Sequence, residues 1–310
     1  MDAGLPLNKS TLIALAYAFA AAAIFTVVFA SAKIVGTNAD PIQVVFMRYA
    51  GAALVISAIT LIVNRGFSGM RSPVLPLHAA RAVSGVAGEL CIISAPLFMA
   101  LEDATAIGLT GGVFAMFLAV VVLREATRPA HWLAALICLS GALLIARFQV
   151  ADRASATSWL GIAIAAAGAV LAGTELFFIK LLTRYDRPLL IMLCVNVMAV
   201  FLLIGPALWV WKPLNHSDVG FLLLLGPLAL LGQFCLIRAF ALADAVIIVP
   251  VSYASIPMAA ILGYFAFHQS LGPAQIIGAL LVIAGGVLLA RLPARQDRAP
   301  AETVSSNTEG

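Results

Sequence analysis

The sequence predicts an all-α polytopic membrane protein, with ten transmembrane helices arranged as two inverted five-helix repeats. Three observations lead there. Of 310 residues, 63% are hydrophobic and only 10% are charged, with a mean hydropathy of +1.08; soluble domains carry about 25% charged residues. Apolar runs of roughly 20 residues, enough to cross a hydrocarbon core about 30 Å thick, recur along the chain. The chain also matches itself across its midpoint. In lipid, only helices or a closed barrel satisfy every backbone polar group. The unbroken apolar runs exclude a barrel, whose strands alternate in polarity.

Divided wherever charge, Pro and Asn cluster, the chain yields ten spans. The first, Thr11 to Ala32, follows Lys9 and ends in Ala30-Ser31-Ala32, which looks like a signal-peptide cleavage site. That reading fails because the apolar stretch exceeds an h-region of about 7 to 15 residues and is matched by the sixth span, which cannot be a signal. The second span, Ile42 to Val63, stops before Arg65. The third, Ala79 to Leu101, and the fourth, Ala104 to Leu123, are joined only by Glu102-Asp103. A basic turn ending at Pro129 then leads into the fifth, His131 to Ala146. The second set is Trp159 to Leu182, Leu189 to Trp211, Val219 to Leu242, Ala245 to Phe267 and Pro273 to Ala290, with Asp244 as the whole joint between the eighth and ninth. Residues 11–147 and 158–292 are thus the expected repeats, and 293–310 a short, polar, disordered cytoplasmic tail.

The formal net charge of +4 is not a nucleic-acid signal, because the cations sit singly in short loops. With a cytoplasmic N-terminus, the inside segments hold Lys9, Arg65, Arg71, Arg124, Arg128, Arg184, Arg187, Arg291, Arg295 and Arg298. The outside loops hold Arg147, Arg153 and Lys212. That asymmetry places both termini inside. Cys91, Cys138, Cys194 and Cys235 all lie in apolar runs without metal-ligand or CxxC spacing and read as small hydrophobes.

The repeat is read from three anchors. Lys33 and Asp40-Pro41 fall on Lys180 and Asp186-Arg187-Pro188; ALEDATAIGL from Ala100 falls on ALADAVIIVP from Ala241; Glu125 to Pro129, then Gly141, falls on Gln269 to Pro273, then Gly285. Five spans per unit is an odd number, so the second unit must enter the membrane from the opposite side. Halves of opposite topology are a recurrent transporter plan, with the substrate near the midplane.

Arg48 in the second span, Leu77-His78 with Arg81 opening the third, and Leu123-Arg124-Glu125 closing the fourth carry a further likeness, joined by Pro250, Pro257, Gly141 and Gly285. On these features the chain, from Leu12 to Leu292, resembles the EamA type of the drug/metabolite transporter superfamily. The resemblance implies secondary transport of a small organic metabolite by alternating access, and is nearest to the branch holding riboflavin and S-adenosylmethionine carriers. Two positions depart from the pattern: Val113 stands where Pro is usual, and Gln269 replaces a Glu.

A charge inside hydrocarbon costs about 2.5 to 3.5 kcal/mol on insertion scales, so each one is a functional hypothesis. Glu89 lies midway along the third span, as a substrate contact or proton relay, or as a structural helix-to-helix bond. Arg48 lies about two turns inside the second span, to hold an anionic or carbonyl group or simply to pair with Glu89. Glu175 is a third candidate, deeper than Lys180. Lys33 and Lys180 read as interfacial anchors, and Arg238 likewise, near Asp244. Tyr253, between Pro250 and Pro257, marks the expected gate, because two prolines withdraw backbone donors and free carbonyls. Asn196, Gln233, Tyr17, Tyr49 and Ser252 are polar groups that could line a cavity, although a lone Asn or Gln more often bridges helices. Small-residue rows, such as Gly161, Ala165 and Gly168 or Gly278 and Gly285, read as packing surfaces.

No HExxH, GxSxG or Walker sequence is present, and the four histidines, His78, His131, His216 and His268, fall at span ends. The expectation is therefore a carrier rather than an enzyme or a scaffold or sensor, without cofactor or metal. Its partners would be a small-molecule substrate and the lipid bilayer; a homodimer is compatible with the sequence, and no nucleic acid is expected. Glu89 and Glu175 would suit a cation such as S-adenosylmethionine, whereas the tyrosines and amides would suit riboflavin. Arg48 neutralises one carboxylate, which tilts the expectation toward a neutral or zwitterionic aromatic metabolite, with riboflavin as the example and an amino-acid carrier as a further alternative.

Overall fold

A computed structural model describes residues 9–35, 40–66, 70–99, 101–148, 158–267 and 272–292. Among them there is no strand, and ten helical stretches are long and apolar enough to cross a membrane. The first repeat holds α1 (Lys9–Val35), α2 (Pro41–Asn64), α3 (Leu75–Ser94), α4 (Leu101–Leu123) and α5 (Pro129–Phe148). The second holds α6 (Trp159–Leu182), α7 (Pro188–Trp209), α8 (His216–Leu242), α9 (Ala245–Ser252) with α10 (Ser255–Phe267), and α11 (Pro273–Arg291). The expected tail, and Arg153, His268 and Gln269, lie outside the described residues, as do the side chains of Lys33, Glu102 and Arg147.

The helix starts follow from local chemistry. Asp40 caps α2 by accepting from Ile42 N at 3.0 Å, with Pro41 at the first position, where its missing N–H costs nothing. Ser158 caps α6 through Gly161 N, also at 3.0 Å. One joint differs from the sequence expectation. The third span begins at Leu75 and gives way at Pro96 to a short 3₁₀ turn, Ala95–Leu97, so the connection to α4 runs through Phe98 and Met99. Glu102 and Asp103 are not the link but belong to the first turn of α4. The ninth span is broken at Tyr253-Ala254, between its two prolines.

The neighbours of each helix show the two-fold arrangement. α6 packs against α3 and α4, and its counterpart α1 packs against α8 and the α9–α10 span; α2 meets α7, and α5 meets α11. The α5–α11 contact lies on the pseudo-axis: a Cβ on Gly141 would come 2.5 Å from Gly278 O, and one on Gly278 would come 2.6 Å from Gly141 O. Gly285 similarly faces Ala134 O. With no side chain between them, the two backbones pack directly, which is how helices associate where lipid removes the hydrophobic drive.

The inversion is visible in which ends meet. At one face, here the near face, the start of α3 meets the α6–α7 turn, because His78 and Ser72 bond Asp186. At the far face, the start of α2 meets the end of α7, because Gln43 Nε2 donates to Lys212 O at 2.9 Å. α1 therefore begins at the near face and α6 at the far face. Leu54, Ile62, Val121, Phe201 and Leu224 present exposed apolar surface, a face for lipid, and Trp159 and Trp209 stand exposed at far-face helix ends, the level where aromatic residues anchor membrane proteins.

Candidate functional site

Helix α3 carries the centre of the molecule. Arg81, Gly85 and Glu89 recur every fourth residue, so they share one face. Glu89 pairs with Arg48 of α2, whose Nη2 donates to both carboxylate oxygens. The Arg48 guanidinium also stands 4.9 Å from the Tyr49 ring centre. One helical turn toward the near face, Gly85 leaves room for a carboxylate from α6: a Cβ there would lie 2.9 Å from Glu175 Cδ. A further turn down, Arg81 Nη2 stands 3.9 Å from Glu175 Oε1. Arg81 is fully buried, and its Nη1 donates to Ile191 O of α7 at 3.2 Å.

Two arginines and two glutamates thus form a ladder across α2, α3 and α6, and their charges cancel. Glu175 lies seven residues from the near end of α6, or about 10 Å at 1.5 Å per residue. Its side chain is nonetheless 27% exposed. Turning that carboxylate to lipid would carry the cost of a bare charge in hydrocarbon.

The other expected residues are distributed around this ladder rather than gathered in it. Asn196 of α7 donates from Nδ2 to Gln233 Oε1 of α8 at 3.0 Å and to Met192 O at 2.7 Å, while its own Oδ1 is buried with no hydrogen bond among the described residues. Tyr49 packs with Val45, Val86, Ala199 and Leu203. Tyr17 meets Phe234 edge-on at 6.4 Å. Tyr253, at the break in the ninth span, donates its hydroxyl to Leu109 O of α4 at 2.8 Å, above Gly112. The aromatic residues therefore do not form one stacking platform.

A second polar centre lies at the near face. Lys180 is not the snorkelling anchor that the sequence suggests. It is buried, and its Nζ donates to Phe240 O at 2.9 Å and Ala243 O at 2.7 Å, capping the end of α8. Glu125 Oε1 is 3.7 Å from it and Asp244 Oδ1 is 3.8 Å away. The same Glu125 carboxylate accepts from Ala245 N and Val246 N at 3.1 and 3.2 Å, capping the start of α9. A cation satisfies the carbonyls of one helix end and an anion the amides of the next, so one pair holds the α8–α9 joint against α4 and α6. Burial pushes the Glu125 carboxyl above the usual carboxylate range; Asp244 adds to the rise, while Lys180 and the two amides oppose it.

Close to that face, His78 Nε2 bonds Asp186 Oδ2 at 2.8 Å, and Ser72 Oγ donates to the same oxygen at 2.6 Å. Sequence reasoning named Arg81 and Glu125 only as motif residues and passed over Gly85. The available signal was the four-residue spacing of Arg81, Gly85 and Glu89, which puts all three on one stripe.

The description "EamA-like transporter family" fits residues 12–147 and, a second time, 159–291. The chain belongs to the EamA-like transporter family. Its ten-helix body is a tandem of the matched unit, and it is a multi-pass membrane protein of a transporter family. Similar proteins include the riboflavin transporter of Brucella anthropi, 26% identical over 263 residues, which cover 82% of this chain and 89% of the relative. The riboflavin transporter of Rhizobium johnstonii is 24% identical over 237 residues, covering 76% and 77%. The pseudopaline exporter CntI of Pseudomonas aeruginosa is 26% identical over 272 residues, covering 86% and 92%. A solved structure superposes at a TM-score of 0.76 with 18% identity, covering 89% of this chain and 96% of the other, a likeness that shows the fold alone.

Proposed function

We propose that this EamA-like protein is a secondary transporter of the bacterial inner membrane, moving a small organic metabolite of no net charge by alternating access, with riboflavin the first substrate to test. The observation that carries this reading is the balanced ladder of Arg48, Glu89, Arg81 and Glu175. A carrier for a cation such as S-adenosylmethionine needs carboxylates left over to offset the hydration its substrate sheds. Here both central carboxylates face arginines. A neutral substrate loses less hydration and asks only for hydrogen-bond partners, which Glu175, Asn196 and Gln233 can supply. Two relatives that carry the name riboflavin transporter add weight.

The broken ninth span supports a moving part, because the break at Tyr253-Ala254 interrupts a helix that packs on α1, α4 and α5. The near face, which gathers Arg65, Arg71, Arg124, Arg128, Arg184 and Arg187, is assigned to the cytoplasm by the positive-inside rule, with both termini there. Reporter fusions at the two termini should read cytoplasmic; a periplasmic signal from either would overturn the orientation.

Proteoliposomes loaded and diluted into radiolabelled riboflavin, S-adenosylmethionine or amino acids, with and without a proton gradient, test the substrate. Saturable riboflavin uptake that S-adenosylmethionine does not inhibit is expected. S-adenosylmethionine uptake without riboflavin competition would refute the neutral-substrate reading. A second reading, a zwitterionic amino-carboxylate, is favoured by the ladder itself, since a carboxylate and an ammonium on one ligand could replace a Glu and an Arg partner; the amino acids of the panel are the matching probes.

A further inference from the structure

The two ion pairs of the ladder are unequal. Arg48 and Glu89 are bonded through both carboxylate oxygens. Arg81 and Glu175 stand 3.9 Å apart without a hydrogen bond between them. A guanidinium has five N–H donors and cannot lose its charge. Arg81 is nevertheless fully buried with a single bond to Ile191 O, and its Nε has no hydrogen-bond partner among the described residues. A cation buried with an idle donor is costly, and one neighbouring group has an open edge, the Glu175 carboxylate over Gly85. A donor cation and an acceptor anion side by side, both short of partners, complement a ligand edge that presents an acceptor oxygen beside a proton-bearing nitrogen.

We propose that Arg81 and Glu175 form the substrate-recognition subsite, with Arg81 donating to a ligand oxygen and Glu175 accepting from the adjacent N–H, while Arg48 and Glu89 stay paired as scaffold. Arg81 and Glu175 become binding residues, and Gly85 the positioning residue that leaves space for the carboxylate. This assignment rests on the carrier reading above. Two ligand classes carry the required edge: the cyclic imide of a flavin ring, with a carbonyl beside N3–H, and the carboxylate beside the ammonium of an amino-carboxylate. Both bind by the same pair of charge-assisted hydrogen bonds, which are stronger than neutral ones.

Equilibrium binding to the full chain in lipid nanodiscs tests it, with riboflavin, 3-methylriboflavin and a panel of neutral amino acids as probes. Because Arg81→Gln alone leaves Glu175 uncompensated and destabilises the fold, the decisive variant is the apolar double change Arg81→Met with Glu175→Leu, since buried ion pairs tolerate replacement by apolar side chains of similar volume. Loss of hydrogen bonds to charged groups should weaken binding by about 10- to 100-fold while the thermal transition stays near that of the wild type. Riboflavin binding that also weakens on N3 methylation identifies the imide as the ligand; amino-acid binding that is lost in the double variant identifies the amino-carboxylate. A folded double variant that binds either probe as tightly as the wild type overturns the subsite and leaves the carrier reading standing. Wild-type protein that binds none of the probes overturns both.

Discussion

Replacing Glu89 by Gln should destabilise the protein rather than act on transport alone. The Glu89 carboxylate takes Arg48 Nη2 on both oxygens, deep between α2 and α3. Opposite charges about 4 Å apart attract by about 4 kcal/mol at an effective dielectric constant of 20, and breaking a buried pair from one side costs about 3 to 5 kcal/mol because the surviving charge is stranded. Gln keeps the shape and one acceptor oxygen, so the loss should fall near the lower end of that range. The double change Arg48→Met with Glu89→Gln removes both charges together and should recover most of the stability. Equilibrium unfolding in mixed micelles measures the four corners of this cycle, with transport assayed on the same samples. Glu89→Gln within about 0.5 kcal/mol of wild type would refute the reasoning, since that is the range of an unremarkable surface substitution. A double variant as unstable as the sum of the single ones would refute it too, because no coupling would then exist.

Gly85→Ala should do the opposite. Pushing Glu175 about half an ångström from Arg81, now 3.9 Å away, costs about 0.5 kcal/mol at the same dielectric constant; Ala in place of Gly in a helix returns about 0.5 to 1 kcal/mol. Thermal melts should barely move while uptake falls, and unchanged uptake would count against the placing of Glu175. Gly141→Val meets backbone instead, a Cβ 2.5 Å from Gly278 O, so α5 and α11 must separate and the melting transition should drop sharply; a variant as stable as wild type would contradict the close crossing. Glu125 sets a pH dependence. Its raised pKa means that the folded chain holds this proton more firmly than the unfolded one. Its contribution to stability is therefore full below the ordinary carboxylate value of about 4.3 and is lost as pH rises through the raised folded value. Melts of wild type and Glu125→Gln from pH 4 to 8 should show a flatter profile in the variant, and identical slopes would remove Glu125 as the source.

Span number, order and inversion were legible in the chain because they follow from a one-dimensional quantity. Transfer of some twenty apolar residues into hydrocarbon, with the backbone bonded within each helix, is decided locally. The odd number of spans in each matching half then forces the second to enter from the other side. Even the break at Tyr253-Ala254 was foreshadowed by Pro250 and Pro257, since proline acts on its own turn of helix. Joints were less legible: Pro96, rather than Glu102-Asp103, ends the third span, because a missing donor stops a helix where an acidic pair merely starts one.

Which charge meets which was decided only by the tertiary structure. Glu89 and Arg48 are 41 residues apart, Glu175 and Arg81 are 94 apart, and Glu125 caps a helix 120 residues further on. Such pairings depend on how each helix is rotated about its axis and how closely it approaches its neighbours, and those are set by backbone crossings at Gly111, Gly141 and Gly226. Lys180 shows the difference most plainly. Its position near a helix end predicted an anchor reaching out to the interface, and only the arrival of the α8 carbonyls beside it turned the ammonium inward. The free energy of entering the membrane is a property of each segment, whereas the placement of a side chain among its partners is a property of all of them packed together.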